Sequence, residues 1–379
     1  MTQAPVKKKA PRLMVVGGGT GGHLYPGIAV ADAWLDAMQD GQVVFVGSPA
    51  GIEARVIPEL GHPFIAVDAR RLKNAGLVER LKSLVRMPLA ILRGYRVIRR
   101  EKPSVVLGVG GYVSGPVVLA AALSGHACAV AEQNARPGLT NRILGRFVRR
   151  VYTAFPEASG GFSVKKVREL GNPVRAAFLH DAAPKRAAGQ NILILGGSQG
   201  AKALNEQLPL VIAKLKARFP AVTVVHQTGR DRDEPVKKLY EDLAVSDVVV
   251  HPFIDDMAGA MASADLVIAR AGATTVAELA CIGRPAVFIP FPYAADDHQA
   301  ANAQSLVSVG AALMQREEGM ETDAMVTLLA PLLDDQEALS QMGASALSRG
   351  RPEAAMAIVA DLADLGGLNE ARSICSEAA

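Results

Sequence analysis

Two similar glycine-rich turns, about 180 residues apart, constrain this 379-residue chain more than any other feature. Arg12–Val16 runs into Gly17-Gly18-Gly19-Thr20-Gly21-Gly22-His23, and Asn191–Leu195 runs into Gly196-Gly197-Ser198-Gln199-Gly200-Ala201. In each, an apolar strand-like run ends in glycines and a helix-like segment follows. Glycine lets the backbone turn tightly and approach a ligand closely, and the helix start beyond it points N–H groups outward. Two such units predict an α/β fold of two Rossmann-like halves, their parallel sheets facing across a cleft.

The length suits two domains rather than one core. Cys128, Cys281 and Cys375 are scattered without paired or metal-ligand spacing, which suggests a reducing, cytosolic compartment. The basic start (Lys7, Lys8, Lys9) precedes an apolar run of only Leu13–Val16, and Pro116–Leu123 is the longest elsewhere. Neither reads as a signal peptide or a membrane span, which takes about 20 residues.

The net charge of +4 hides an asymmetry: residues 1–175 carry 25 Lys and Arg against 11 Asp and Glu, the remainder 16 against 26. An anionic partner for the first half follows, whether membrane surface, polyphosphate or nucleic acid.

Strand-like runs at Leu13–Val16, Val43–Val46, Phe64–Val67, Val105–Leu107, Ala127–Ala131 and Val151–Ala154 alternate with helix-like segments such as Gly27–Met38 and Ala135–Phe147. The second half repeats the theme at Ile192–Leu195, Thr223–Gln227, Val248–His251, Leu266–Ala269 and Ala286–Ile289. Alternation of this kind predicts βαβ units and mainly parallel sheets. The turn-rich stretch from Gly171 to Gln190 is the expected join, giving domains 1–174 and 175–350. A final amphipathic helix is expected over Arg351–Leu365, with a poorly ordered tail beyond Gly366.

Residues 70–102 hold 11 Lys and Arg, with leucines and valines interspersed and only Glu79 and Glu101 as acids. Basic residues around an apolar face describe a helix able to lie in an anionic bilayer interface. The competing reading is a surface helix whose apolar side packs on the sheet.

Several clusters should lie at the carboxyl ends of strands, where open α/β sheets bind ligands. His23, where the first turn becomes a helix, is placed to act as a general base or else to pack at the helix start. That loop is neither a Walker loop nor a dinucleotide fingerprint, because Gly47-Ser48-Pro49 stands where an acid should follow the second strand. Glu132 and Asn134 offer polar groups to a sugar or pyrophosphate, with Asn134 alternatively a helix N-cap. Arg270–Glu278 brings a helix start toward the cleft, suited to a diphosphate, and puts Glu278 within reach of a ribose diol. Thr275 and Glu278 also match a capping box, which would occupy both locally. Asp296–Asn302 opens another helix and offers amide and imidazole groups. No Asp-x-Asp follows a strand, so no metal site is expected; helix dipoles and cations would hold a departing diphosphate.

Taken in order, Gly18–His23, Gly110–Pro116, Glu132-Gln133-Asn134, Gly171–Arg175, Gly196–Ala201, Phe253–Met257 and Asp297-His298-Gln299 resemble the signature of the peptidoglycan N-acetylglucosaminyltransferases of glycosyltransferase family 28. The likeness covers nearly all of residues 12–350. It implies a GT-B fold whose last helix, about 351–366, crosses back to the first domain. The implied reaction moves GlcNAc from UDP-GlcNAc to the 4-hydroxyl of MurNAc-(pentapeptide)-pyrophosphoryl-undecaprenol, with inversion and with neither metal nor cofactor. It implies a peripheral place on the cytoplasmic face of the inner membrane and no nucleic-acid partner. By matching position, Thr20, Gly21, Gly22 and Asn134 would contact the donor from the first domain. Arg175, Ser198, Ile254, the helix start Ala273, Thr274, Thr275, Val276, Ala277 and Glu278, and Gln299 would bind it from the second. Ile254 would offer its backbone to uracil, Glu278 would take the ribose, and His23 would deprotonate the acceptor.

Two alternatives stay open: an epimerase-like enzyme acting on free UDP-GlcNAc, and a non-catalytic nucleotide-sugar-binding subunit. A nicotinamide oxidoreductase is disfavoured by the missing acid after the second strand.

Overall fold

The computed structural model describes residues 10–68, 77–179, 190–197 and 200–368, without the side chains of 77–86. Strands with apolar residues on both faces should form parallel sheets covered on both sides, and the structure has two. The first is built from β1 (Arg12–Gly17), β2 (Gln42–Gly47), β3 (Phe64–Ala66), β4 (Val105–Gly110), β5 (Cys128–Glu132), β6 (Arg150–Thr153) and β7 (Val167–Glu169). The second contains β8 (Gln190–Leu195), β9 (Val222–Gln227), β10 (Val248–His251), β11 (Leu266–Ala269), β12 (Ala286–Phe288) and β13 (Ala312–Met314).

Strand order is β3-β2-β1-β4-β5-β6-β7 in the first sheet and β10-β9-β8-β11-β12-β13 in the second, and every pairing is parallel. In each sheet the chain steps outward from its first strand and then returns to that strand's other side. This creates a switch point between β1 and β4, and another between β8 and β11. The carboxyl ends of strands at such points are where open α/β sheets bind ligands.

Two compact units result. One gathers the described residues of Met1–Gln133, Pro137–Pro173 and Glu353–Ala379; the other gathers those of Asn134–Arg136 and Val174–Pro352. The three-residue segment Asn134–Arg136, expected with the first domain, therefore packs with the second.

In the first unit, Leu13 and Val15 of β1 face a core with Trp34 and Ile28, while Met14 and Val16 face an opposite core with Val117 and Ile98. The helix Ala354–Leu365 joins the first of these cores through Ile358, Val359 and Leu362. Asp361 on that helix accepts the Tyr152 hydroxyl at 2.8 Å and lies 3.2 Å from Arg150. In the second unit, Ile192, Ile194, Leu266 and Ile268 pack under Leu204, Leu208 and Leu329.

Three expectations need correction. The helix after the first turn starts at Gly21, not Gly27, and carries Pro26 inside it. The one expected over Ala135–Phe147 spans only Leu139–Leu144, because Gly138 forms its N-cap and the preceding residues are held by another unit. Strands β7 and β13 lack counterparts in the sequence reading. The tail from residue 369 lies outside the described residues.

Candidate functional site

In the first unit, the β1 and β4 loops meet backbone to backbone. A Cβ on Gly17 would fall 2.2 Å from the Gly110 carbonyl oxygen, and one on Gly111 would fall 2.5 Å from that of Gly18. These glycines also have φ of +141° and +86°, so both crowding and conformation exclude a side chain. The Gly18 N–H donates to the Gly110 carbonyl at 3.2 Å. The ring of His23 lies against Gly110, whose added Cβ would sit 2.7 Å from His23 Cδ2.

His23 is half-buried, with Nδ1 3.2 Å from the hydroxyl of exposed Thr20. In the tautomer whose Nδ1–H donates to Thr20, Nε2 carries the lone pair that can accept a proton. Gly21 and Gly22 form the first turn of the helix Gly21–Ala37.

Glu53 completes this loop, and the sequence reading does not single it out. It opens the helix Glu53–Glu59, and its buried carboxylate accepts the Gly19 N–H at 2.7 Å and the Ser48 N–H at 2.9 Å. The acid missing directly after β2 thus arrives six residues past Gly47, bound to the loop's own backbone.

Glu132 is buried and has local work: its carboxylate accepts the Gly138 N–H and the Asn141 side-chain amide, each at 2.9 Å. Asn134 is not a helix N-cap, since the next helix begins at Leu139. Its side-chain oxygen instead accepts from Asn302 Nδ2 at 3.2 Å, within the second unit. Asn302, fully buried, also donates to the Ala271 carbonyl at 3.1 Å and accepts the Ala135 N–H at 2.8 Å. One carboxamide thus ties Asn134 to the approach of the helix Ala273–Ile282. Asn302 falls in the cluster singled out by sequence, but its fastening role could not be read there because its partners are 31 and about 170 positions away.

The helix Ala273–Ile282 lies just past β11, at the second switch point. Its N-cap is Gly272, so Thr275 is inside the first turn and the capping box does not form. Ala273, Thr274 and Val276 are buried, Thr275 and Ala277 half-buried, so this helix start offers chiefly backbone amides. Glu278 is 4% exposed, and its Oε1 lies 3.0 Å from Arg175 Nη2. Burial pushes the Glu278 carboxyl up to about 7, against the lowering pull of the Arg175 guanidinium. Arg175 itself lies over the Phe178 ring, 4.9 Å from its centroid.

Ile254 is half-buried in the turn after β10, just ahead of the helix Met257–Ser263, which Asp256 caps through the Gly259 N–H at 2.9 Å. Gln299 accepts the Phe291 N–H at 2.9 Å near the start of the helix His298–Val307. Asp297, preceding that helix, is gripped at both oxygens by Arg316 at 2.8 Å. Ser198 lies outside the described residues. In the β8 loop a Cβ on Gly200 would fall 2.2 Å from the Thr228 carbonyl, which explains a glycine with φ of +72°.

Two consecutive doubly wound units, each with glycine loops at its switch point, make up the GT-B fold. The glycosyltransferase family 28 N-terminal domain matches residues 13–153 and the family's C-terminal domain matches residues 191–358. The chain belongs to glycosyltransferase family 28. It is 44% identical over 356 residues to the UDP-N-acetylglucosamine--N-acetylmuramyl-(pentapeptide) pyrophosphoryl-undecaprenol N-acetylglucosamine transferase of Myxococcus xanthus, covering 93% of each chain. It is 42% identical to the protein of the same name from Syntrophus aciditrophicus, covering 92% of this chain and 97% of that one. The crystal structure of Acinetobacter baumannii MurG superposes with a TM-score of 0.75 at 35% identity, covering 93% of this chain and 99% of that one. UDP-GlcNAc 2-epimerase from Neisseria meningitidis superposes at 0.67 with 14% identity over 92% and 98% of the two chains, a likeness of fold alone.

Proposed function

We propose that this chain transfers GlcNAc from UDP-GlcNAc to the 4-hydroxyl of MurNAc-(pentapeptide)-pyrophosphoryl-undecaprenol, with inversion. The observation that carries this reading is 44% identity to a relative of that name across both halves of the chain. In this reading the second unit grips the donor. First-turn amides of Ala273–Thr275 face the diphosphate, where the positive end of a helix favours negative charge. Glu278 Oε2 takes the ribose diol while Oε1 stays on Arg175. The Ile254 backbone reads uracil, and Val276 and Ala277 carry the helix past the nucleotide to Glu278. Ser198 and Gln299 complete the grip, and Asn134 meets the sugar.

The first unit supplies Thr20, Gly21 and Gly22 to the donor and His23 as base. His23 Nε2 takes the proton of the acceptor hydroxyl as its oxygen bonds to the sugar's anomeric carbon. The bond from that carbon to the diphosphate breaks on the opposite face, and UDP leaves with the electron pair. General bases of this kind contribute roughly 10²–10⁴-fold.

The acceptor's lipid requires a membrane-facing surface, and the helix Leu77–Glu101 supports one. Ala90, Gly94 and Ile98 turn inward and are buried, whereas Leu89, Leu92 and Tyr95 are exposed among Arg93, Arg96, Arg99 and Arg100. The inward face fits the surface-helix reading, and the basic outward face supports the interfacial one. No helix among the described residues is long and apolar enough to cross a membrane. The chain acts peripherally, on the cytoplasmic face of the inner membrane, with no nucleic-acid partner.

The test is transfer of labelled GlcNAc to a short-chain lipid acceptor in the presence of EDTA. Product formation is expected; epimerisation of free UDP-GlcNAc with no transfer would favour the rival enzyme.

A further inference from the structure

Glu53 has no part in the roles given above, yet the first loop is built around it. The residue is 2% exposed. Its carboxylate holds the amides of Gly19 and Ser48, at 2.7 and 2.9 Å. Three glycines make the space: a Cβ on Gly18, Gly47 or Gly51 would fall 2.4, 2.5 or 2.2 Å from Glu53 side-chain atoms. Loops of this kind usually turn such amides toward a ligand's phosphate. Here an anion of the protein already receives them.

We propose that Glu53 is a positioning residue for glycosyl transfer: its carboxylate replaces a phosphate inside the first glycine loop and sets the loop for His23. This rests on the reading of His23 as base. The path is short. Glu53 fixes the Gly19 amide, the next residue is Thr20, and the Thr20 hydroxyl meets His23 Nδ1 at 3.2 Å. Gly19 has a φ of +88°, so its backbone is not confined by a side chain and depends on such an anchor. Charge-assisted hydrogen bonds to backbone amides are among the stronger ones, and a pair of them from one buried carboxylate holds a loop before any substrate arrives. The same arrangement withholds the Gly19 and Ser48 amides from a substrate phosphate.

The experiment compares wild type with Glu53→Gln, His23→Ala and the double variant, in the full-length chain, by steady-state transfer to a short-chain lipid acceptor. Glutamine keeps the size of the side chain but turns an NH2 group toward one of the two amides. Misplacement of a catalytic group by about 1 Å costs on the order of a hundredfold. We expect kcat of Glu53→Gln to fall roughly ten- to a hundredfold, with the affinity for UDP, which the second unit grips, unchanged. In the His23→Ala background the same change should cost little further, because its effect runs through that histidine. Gly51→Ala gives a second route, since the new methyl displaces the carboxylate without altering its charge; the same split is expected, even if Glu53→Gln fails to fold. A folded Glu53→Gln or Gly51→Ala protein with wild-type kcat would overturn the inference, as would an equal loss with and without His23. Full activity in His23→Ala would overturn the base assignment beneath it.

Discussion

Arg175 Nη2 stands 3.0 Å from Glu278 Oε1, an ion pair whose acid is buried and whose base reaches solvent at 29% side-chain exposure. The capping box that the sequence offers would have kept Glu278 within its own helix; the structure gives it to Arg175 instead. Glu278→Ala should therefore leave the helix start intact, and Arg175 can rehydrate. A hydrogen bond to a charged group contributes about 1.5–3 kcal/mol, so UDP affinity should fall roughly ten- to a hundredfold. Calorimetric titration with UDP checks this; unchanged affinity with a lowered Tm would return Glu278 to a structural role.

The same acid predicts a pH dependence of stability. Its carboxyl is raised from an ordinary 4.5 to about 7 in the folded protein. The folded state thus holds a proton that the unfolded chain has already released. Glu278's stabilising contribution is complete below about pH 4.5 and is lost as pH rises to about 7, at a slope of up to about 1.4 kcal/mol per pH unit. Urea midpoints for wild type and Glu278→Gln across pH 5–8 should move in favour of the glutamine variant as pH rises. Parallel curves would contradict the shift.

Asn302 fastens Asn134 and Ala135 to the unit that carries the helix Ala273–Ile282. Asn302→Asp keeps an acceptor for the Ala135 N–H but loses both donations, to Asn134 and to Ala271. Leaving the buried Ala271 carbonyl without its donor costs about 1–3 kcal/mol. If Asn134 meets the sugar, KM for UDP-GlcNAc should rise while affinity for UDP itself holds. Equal weakening of both ligands would assign the asparagine a role in general packing.

Arg93 and Arg96 flank exposed Leu92 and Tyr95 on the outward side of their helix. Each basic residue near an anionic leaflet contributes about 1 kcal/mol. Reversing both to glutamate should release the protein from phosphatidylglycerol vesicles in a sedimentation assay, with transfer to a soluble acceptor retained. Undiminished vesicle binding would place the membrane contact elsewhere.

Much of this was legible in the residues. Strands β1, β4, β8 and β11 stand out because both of their faces are largely buried, so each carries an apolar run that ends in, or leads straight into, glycine or a small residue. The edge strands β7 and β13, three residues each and partly exposed, carry no such pattern. The helix from Gly21 is obscured by its glycines and Pro26, which read as loop until the surrounding packing supplies the stability they lack. Glu53 was hidden for a different reason. Its partners are the amides of Gly19 and Ser48, and backbone groups leave no signature in composition or spacing.

The returning helix Ala354–Leu365 has a practical consequence for anyone dividing this enzyme. A polypeptide ended at Pro352 would deprive the amino-terminal unit of Ile358, Val359 and Leu362, baring the hydrophobic bed beside Trp34 and stranding the Tyr152 hydroxyl. Neither half is a contiguous stretch of gene, so each must borrow a piece of sequence from the far side of the other to be made alone.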